Sequence, residues 1–215
     1  MAVRTDDDVV ELASRMVVAH SSFLEGQALP AVRAGGDSVR GVVLEAWRRS
    51  RSSGVDPDGF GGAVDLAGAE LRRYRATHPT GLIRPVVRKL LVEDAAEAGL
   101  LVAISDARGR LLWVEGDRKV RDRASGMNFV EGADWSEDRM GTNAPGTALA
   151  LDHHVQIFGA EHFSRVVHEF SCTAAPVHDP FSGRIIGAID ITGGPRVAAP
   201  EVLSLIRATV VAAES

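Results

Sequence analysis

The chain has 215 residues, 45% hydrophobic and 25% charged, which suits one large domain and excludes a fibrous or wholly disordered protein. Its 24 Lys and Arg against 29 Asp and Glu leave a net charge of −5, without the basic excess of a protein that holds nucleic acid or an anionic membrane by charge. One cysteine, Cys172, excludes an intramolecular disulfide, a cysteine-based zinc site and a dithiol redox pair within the chain.

The first residues carry Asp6-Asp7-Asp8 where a signal peptide needs a positive segment. The apolar runs are far shorter than the roughly 20 residues a membrane helix requires. A reducing cytoplasm is therefore the expected compartment, with no membrane partner. Apolar residues from Val9 to Val17 recur at helical spacing and predict a helix from Asp7 to about His20. Gly35-Gly36-Asp37-Ser38 breaks the pattern, with Ser38 as N-cap of a second helix. In it Val39, Val42, Val43, Ala46 and Trp47 form one stripe, and Arg48, Arg49 and Arg51 read as a solvated face. Gly54 to Gly62 reads as turn and loop, followed by a short helix over 67–76. The stripe from Ile83 to Ala98 predicts a strong helix. Pro85 places its regular start at Leu82 to Arg84, and Gly99 stops it.

From Leu100 the period becomes two. Strands are expected over 100–105 and 110–114 as a hairpin, then over 155–158, 170–177 and 184–192. An irregular stretch, 128–135, and a helix opened by Ser136 and broken at Gly141 and Pro145 lie between them. A terminal helix starts at Pro200. Paired strands with helices around them give an α+β class with a central antiparallel sheet. The chain closes on Glu214-Ser215 without a helix-stop signal, as a piece of a longer chain or a helix leading into another domain would.

Four segments carry a resemblance: Trp135-Ser136-Glu137 with Met140 to Leu149, Val155 to Phe163, Ser171 to Asp179, and Gly187 to Gly193. In this order they resemble the GAF sensory domain of bacterial transcription regulators similar to the acetoin-catabolism, sigma-54-dependent activator. Glu45 to Arg51 and Gly54 to Pro57 resemble that family's lead-in helix. The resemblance covers nearly everything from Val39 onward. It implies a GAF-like sheet with dimer-forming helices on one face and a ligand pocket on the other. Residues 1–78 then form an N-terminal helical extension and 79–215 the GAF domain. It also implies small-molecule sensing that controls an ATPase and helix-turn-helix output. No phosphate-binding loop or helix-turn-helix is recognisable, so neither ATP hydrolysis nor direct nucleic-acid binding is expected of this chain.

The candidate ligand-binding residues are Trp135, Asn143, Glu161, His162, Phe163, Phe170, Cys172 and Asp190. Each has a plainer reading beside it. Cys172 shares a strand face with Phe170 and Ala174 and suits a small buried hydrophobe, a pocket-lining or redox thiol, or a nucleophile with His162 and Asp190. Asp190, between Ile189 and Ile191, needs a partner, either a ligand or the Thr142-Asn143 loop. Trp135 and Trp113 suit the core, and Asn143 and Thr147 suit capping. His153, His154, His162 and His168 fall close together but match no metal spacing, so no metal, cofactor or catalytic residue is assigned. His153 and His154 would point to opposite faces of a strand. A haem or redox sensor using His162, His168 or Cys172 stands as the alternative. A sulfoxide-reductase chemistry would need a second cysteine. The expected pocket lies between the Cys172 face and the segments around Trp135, Asn143 and Glu161–Phe163, and takes a small, largely apolar effector. The helices carrying Ile83 to Leu91 and Leu205-Ile206 hold more apolar surface than one sheet face covers, which predicts a homodimer.

Overall fold

The period-two segments pair into one antiparallel sheet. In a computed structural model, which describes residues 6–30 and 39–215, the strands are β1 (Leu101–Asp106), β2 (Leu111–Gly116), β3 (Val155–Ile157), β4 (Ser171–His178) and β5 (Ile185–Gly193). Their order is β2-β1-β5-β4-β3. This is the α+β, GAF-like architecture that the resemblance implies. Register decides what each face carries. Leu101, Thr192 and Cys172 stand abreast, as do Ala103, Asp190 and Ala174. One residue along, Ile104, Ile189 and Ala175 stand abreast on the opposite face.

Nine α-helical segments occur among the described residues: α1 (Asp6–Leu24), α2 (Gly41–Ser52), α3 (Gly68–Thr77), α4 (Thr80–Val87), α5 (Glu93–Ala98), α6 (Arg118–Ser125), α7 (Glu137–Met140), α8 (Ala144–Leu151) and α9 (Pro200–Ala213). Leu71, Ile83, Val87, Ala95 and Ile206 of α3, α4, α5 and α9 pack on the Ile104–Ile189 face. The opposite face is covered by Ala144 and Ala148 of α8, Val120 and Ala124 of α6, and Phe129 and Trp135. A third core joins α1 and α2 to the segment after β3, through Met16, Phe23, Trp47, Phe158 and Phe163.

Several boundaries differ from expectation for local reasons. The Ser38 cap lies outside the described residues, and α2 starts at Gly41. α4 starts at Thr80, with Pro85 inside it. Thr80 is fully buried and Ile83 packs in the core, so tertiary packing holds the turn despite the missing N–H. A π-turn at Arg88–Val92 then joins α4 to α5. Gly99 ends α5 in a left-handed conformation, as its sequence position predicts. The helix after Ser136 falls into two pieces, α7 and α8, around Gly141. His153 and His154 follow α8 in a turn, not a strand, with ring centroids 4.0 Å apart instead of on opposite faces.

Candidate functional site

Alternation along β4 and β5 puts Cys172, Asp190 and Thr192 on the face under α8, surrounded by apolar side chains. Asp190 is 1% exposed. Its Oδ2 accepts the Thr192 hydroxyl at 2.6 Å, and the Thr192 hydroxyl oxygen lies 3.2 Å from the Cys172 sulfur. Its Oδ1 has no hydrogen-bond partner. Burial pushes the Asp190 carboxyl up to about 7, because desolvation outweighs the Thr192 hydrogen bond. Burial, and then the neighbouring Asp190 charge, push the Cys172 thiol well above its ordinary value. That is the opposite of what a reactive thiolate needs, so nothing here favours the redox reading. Asp190 does not tie down Thr142-Asn143; its protein partner is Thr192. On the covering helix α8, the buried Thr147 hydroxyl also lacks a partner.

The structure brings Trp135, Phe170, Cys172 and Asp190 to this one face. Trp135 donates its ring N–H to the Asn128 carbonyl at 3.0 Å and meets Phe129 edge-on, which makes it part of the wall. Asn143 caps α8, accepting the Gly146 N–H at 2.9 Å and donating to the Gly141 carbonyl at 2.8 Å.

Glu161, His162 and Phe163 form a separate group beside α1 and α2. The buried Glu161 carboxylate takes the Arg40 guanidinium on both oxygens, with Nε–Oε1 at 2.8 Å, and accepts the Phe158 N–H at 2.9 Å. Its carbonyl accepts the Trp47 ring N–H at 2.7 Å. The Phe163 carbonyl lies 2.9 Å from His20 Nε2. His162 is buried with Nδ1 2.8 Å from the Gly159 carbonyl, and burial pushes it down to about 3. His168 Nε2 lies 3.1 Å from the His162 carbonyl, so that nitrogen is held by the protein and nothing favours it as a haem ligand. Glu161 and Phe163 fasten the N-terminal helices to the cover of the sheet.

Sequence reasoning missed Thr192 and assigned Thr147 to capping. Period-two alternation from Asp190 reaches Thr192, so the signal for it was present. It also missed an open groove of about 600 Å³ between the end of α2, the β1–β2 turn and α7. Arg49, Arg108, Glu137 and Asp138 line it. Arg49 is bidentate to Glu137 at 2.6 and 3.0 Å, so it is a structural tie and not a purely solvated residue.

Comparison with known proteins follows the same lines. Residues 18–214 match the family described as MimR, N-terminal domain. A Rhodococcus erythropolis chain described as an uncharacterized 47.3 kDa protein in the thcA 5' region is 68% identical over 216 residues, covering 100% of this chain and 49% of its own length. The acetoin dehydrogenase operon transcriptional activator AcoR of Bacillus subtilis (strain 168) is 35% identical over 178 residues, 82% of this chain and 29% of its own. In the E. coli DhaR(N)–DhaL complex, one chain superposes with a TM-score of 0.72 at 20% identity, over 81% of this chain and 59% of that one. The chain thus spans about half or less of the curated relatives cited.

Proposed function

The chain belongs to the family of MimR N-terminal domains, and from that premise we propose that it is the effector-sensing domain of a cytoplasmic transcription regulator of the sigma-54-dependent type. In this reading residues 79–215 sense a small, largely apolar molecule, and residues 1–78 are a helical lead-in whose α1 and α2 dock beside the Phe158–Phe163 segment. The domain performs no catalysis and reads no DNA itself. It works as a homodimer that passes the state of its pocket to an output domain.

One observation carries the ligand site: the unpartnered Oδ1 of Asp190 on an otherwise apolar face. A buried polar atom without a partner costs free energy that a ligand hydrogen bond recovers. The unpartnered Thr147 hydroxyl on α8 is the natural second contact.

The test is thermal unfolding of the chain against small ketones, alcohols and aromatic compounds. A compound that binds the folded state raises the midpoint, by about 2.7 kcal/mol of stability at a hundredfold excess over Kd. Cys172→Trp fills the same space and should abolish that rise while circular dichroism still shows a folded chain. A folded Cys172→Trp that binds normally, alongside loss of binding on a change at Ile189 of the other face, puts the pocket on the wrong side of the sheet.

A further inference from the structure

At one end of the sheet, a single side chain joins the layers that cover its two faces. His178 is the last residue of β4. Its ring Nε2 lies 2.7 Å from Oδ1 of Asp152, the residue that caps the C-terminus of α8. Its Nδ1 lies 3.1 Å from Oε1 of Glu214, the residue that caps α9. The His178 backbone N–H donates to that same Glu214 oxygen at 2.8 Å. α8 packs on the Cys172 face and α9 on the Ile189 face, so the imidazole spans from one layer to the other.

Proton counting fixes the state of the ring in this geometry. A neutral imidazole has one N–H and one lone pair, and an ionised carboxylate only accepts. Two ring nitrogens that each face a carboxylate oxygen therefore need both protons. A neutral ring turns one lone pair against an oxygen and loses that contact. Burial pulls the ring down, but the hydrogen bonds and charges of Asp152 and Glu214 outweigh it, so the His178 pKa stands above 6.5. Asp152 supplies a second observation. Its φ of +47° is left-handed, a C-cap conformation that Asp adopts more readily than most residues with a Cβ, and it sets the carboxylate at the end of α8.

The other charged groups nearby are accounted for. His153 and His154 follow Asp152 with their ring centroids 4.0 Å apart and the planes tilted by 35°. Burial, then His153 and Arg207 of α9, hold His154 below its ordinary value. Asp179, next to His178, has its carboxylate occupied by the N–H groups of Phe181 and Ser182.

We infer that His178 is a proton-operated clamp that fastens the end of α9 to α8, closed when the imidazole is charged and loosened when it is neutral. Its regulatory meaning rests on the sensing function proposed above. α8 covers the Asp190 face, so the proton on His178 sets how far a shift of α8 reaches α9. A base whose folded pKa is raised contributes stability that is fully present below its unfolded pKa. That contribution is lost as pH rises through the folded value, here upward from about 6.5.

The test uses the chain without added ligand. Ring-proton NMR follows His178, and amide hydrogen exchange, expressed as protection factors, follows residues 208–213 of α9. The expected result is a His178 midpoint above 6.5 and at least a threefold loss of protection in α9 across that midpoint, with β5 unchanged. His178→Gln should give the loosened state at every pH. Asp152→Asn and Glu214→Gln should each lower the midpoint and flatten the step, and they read the clamp even if His178→Gln does not fold. A midpoint at or below 6.5, pH-independent protection in wild type, or a step that survives in His178→Gln overturns the clamp. None of these readouts involves ligand binding. A failed sensing function appears instead as the absence of ligand-induced stabilisation with the clamp intact.

Discussion

Above neutral pH the Asp190 position holds a buried charge with one hydrogen bond and a bare oxygen. Its folded pKa of about 7 stands above the ordinary 3.8, so between these values the folded chain binds a proton that the unfolded chain has released. The stability from this group is therefore full below about pH 4 and is lost as pH rises through about 7. Asp190→Asn keeps an oxygen for Thr192 and removes the charge. We expect its stability to change less between pH 5 and 8 than wild type, with a gain at pH 8 of about 2 kcal/mol, the size of a partly relieved shift of three units. Urea unfolding at both pH values measures this. Parallel curves for the two proteins would mean that the carboxyl is solvated.

The same accounting applied to whole elements shows how α2 is held. Arg40→Ala leaves the Glu161 carboxylate, 2% exposed, with only the Phe158 N–H. Breaking a buried pair from one side costs about 3–5 kcal/mol. Arg40 is 28% exposed, so about 2–4 kcal/mol is expected in urea unfolding followed by tryptophan fluorescence. A loss below about 0.5 kcal/mol would show that α2 docks by its apolar stripe alone. Gly141 marks the break between α7 and α8, with φ +69°, and a Cβ there would sit 2.7 Å from the Phe163 Cβ. Gly141→Ala should cost at least about 1 kcal/mol and loosen both short helices. The sheet and the Ile83 stripe were legible because their burial follows a fixed period, and the Gly99 stop because only backbone conformation decides it. The Gly141 break was legible for the same reason. The start of α4 was not, because burial of Thr80 overrides the proline rule. The division of the candidate residues was not legible either. Glu161 ends a short 3-10 turn and Phe163 lies in the loop after it, and neither has a period that tells which side the chain presents. Their partners Arg40 and His20 are more than a hundred residues away in sequence.

Taken as one body, the molecule is covered unevenly. The face under α8 is closed by side chains from α6, α8 and the Phe129–Trp135 stretch. The opposite face is covered by α3, α4, α5 and α9, whose inner sides are buried and whose outer sides keep large apolar residues. Leu82 is 83% exposed on α4, Leu90 follows in the π-turn, and α9 exposes Leu205 and Val211. Leucines at these exposures cost little singly, but a patch spread over two adjacent helices marks an association surface. The charged residues Lys89, Glu93 and Arg207 are also exposed on these helices, which suits a polar rim. A second copy of the chain offers the same patch, and a two-fold arrangement makes it self-complementary. A stable pair needs about 800 Å² from each partner, within reach of two helix faces. Sedimentation at tens of micromolar should therefore give a dimer. Leu205→Glu should shift it to monomer without lowering the unfolding midpoint of the monomer, since the side chain is already half in solvent. Val17→Glu, on the outer side of α1, is the control and should leave the dimer intact. A monomeric wild type would overturn the dimer, and a dimer broken by Val17→Glu and untouched by Leu205→Glu would move the association surface to the N-terminal helices. The signal would then have to leave the domain through α1 and α2, not through α4 and α9.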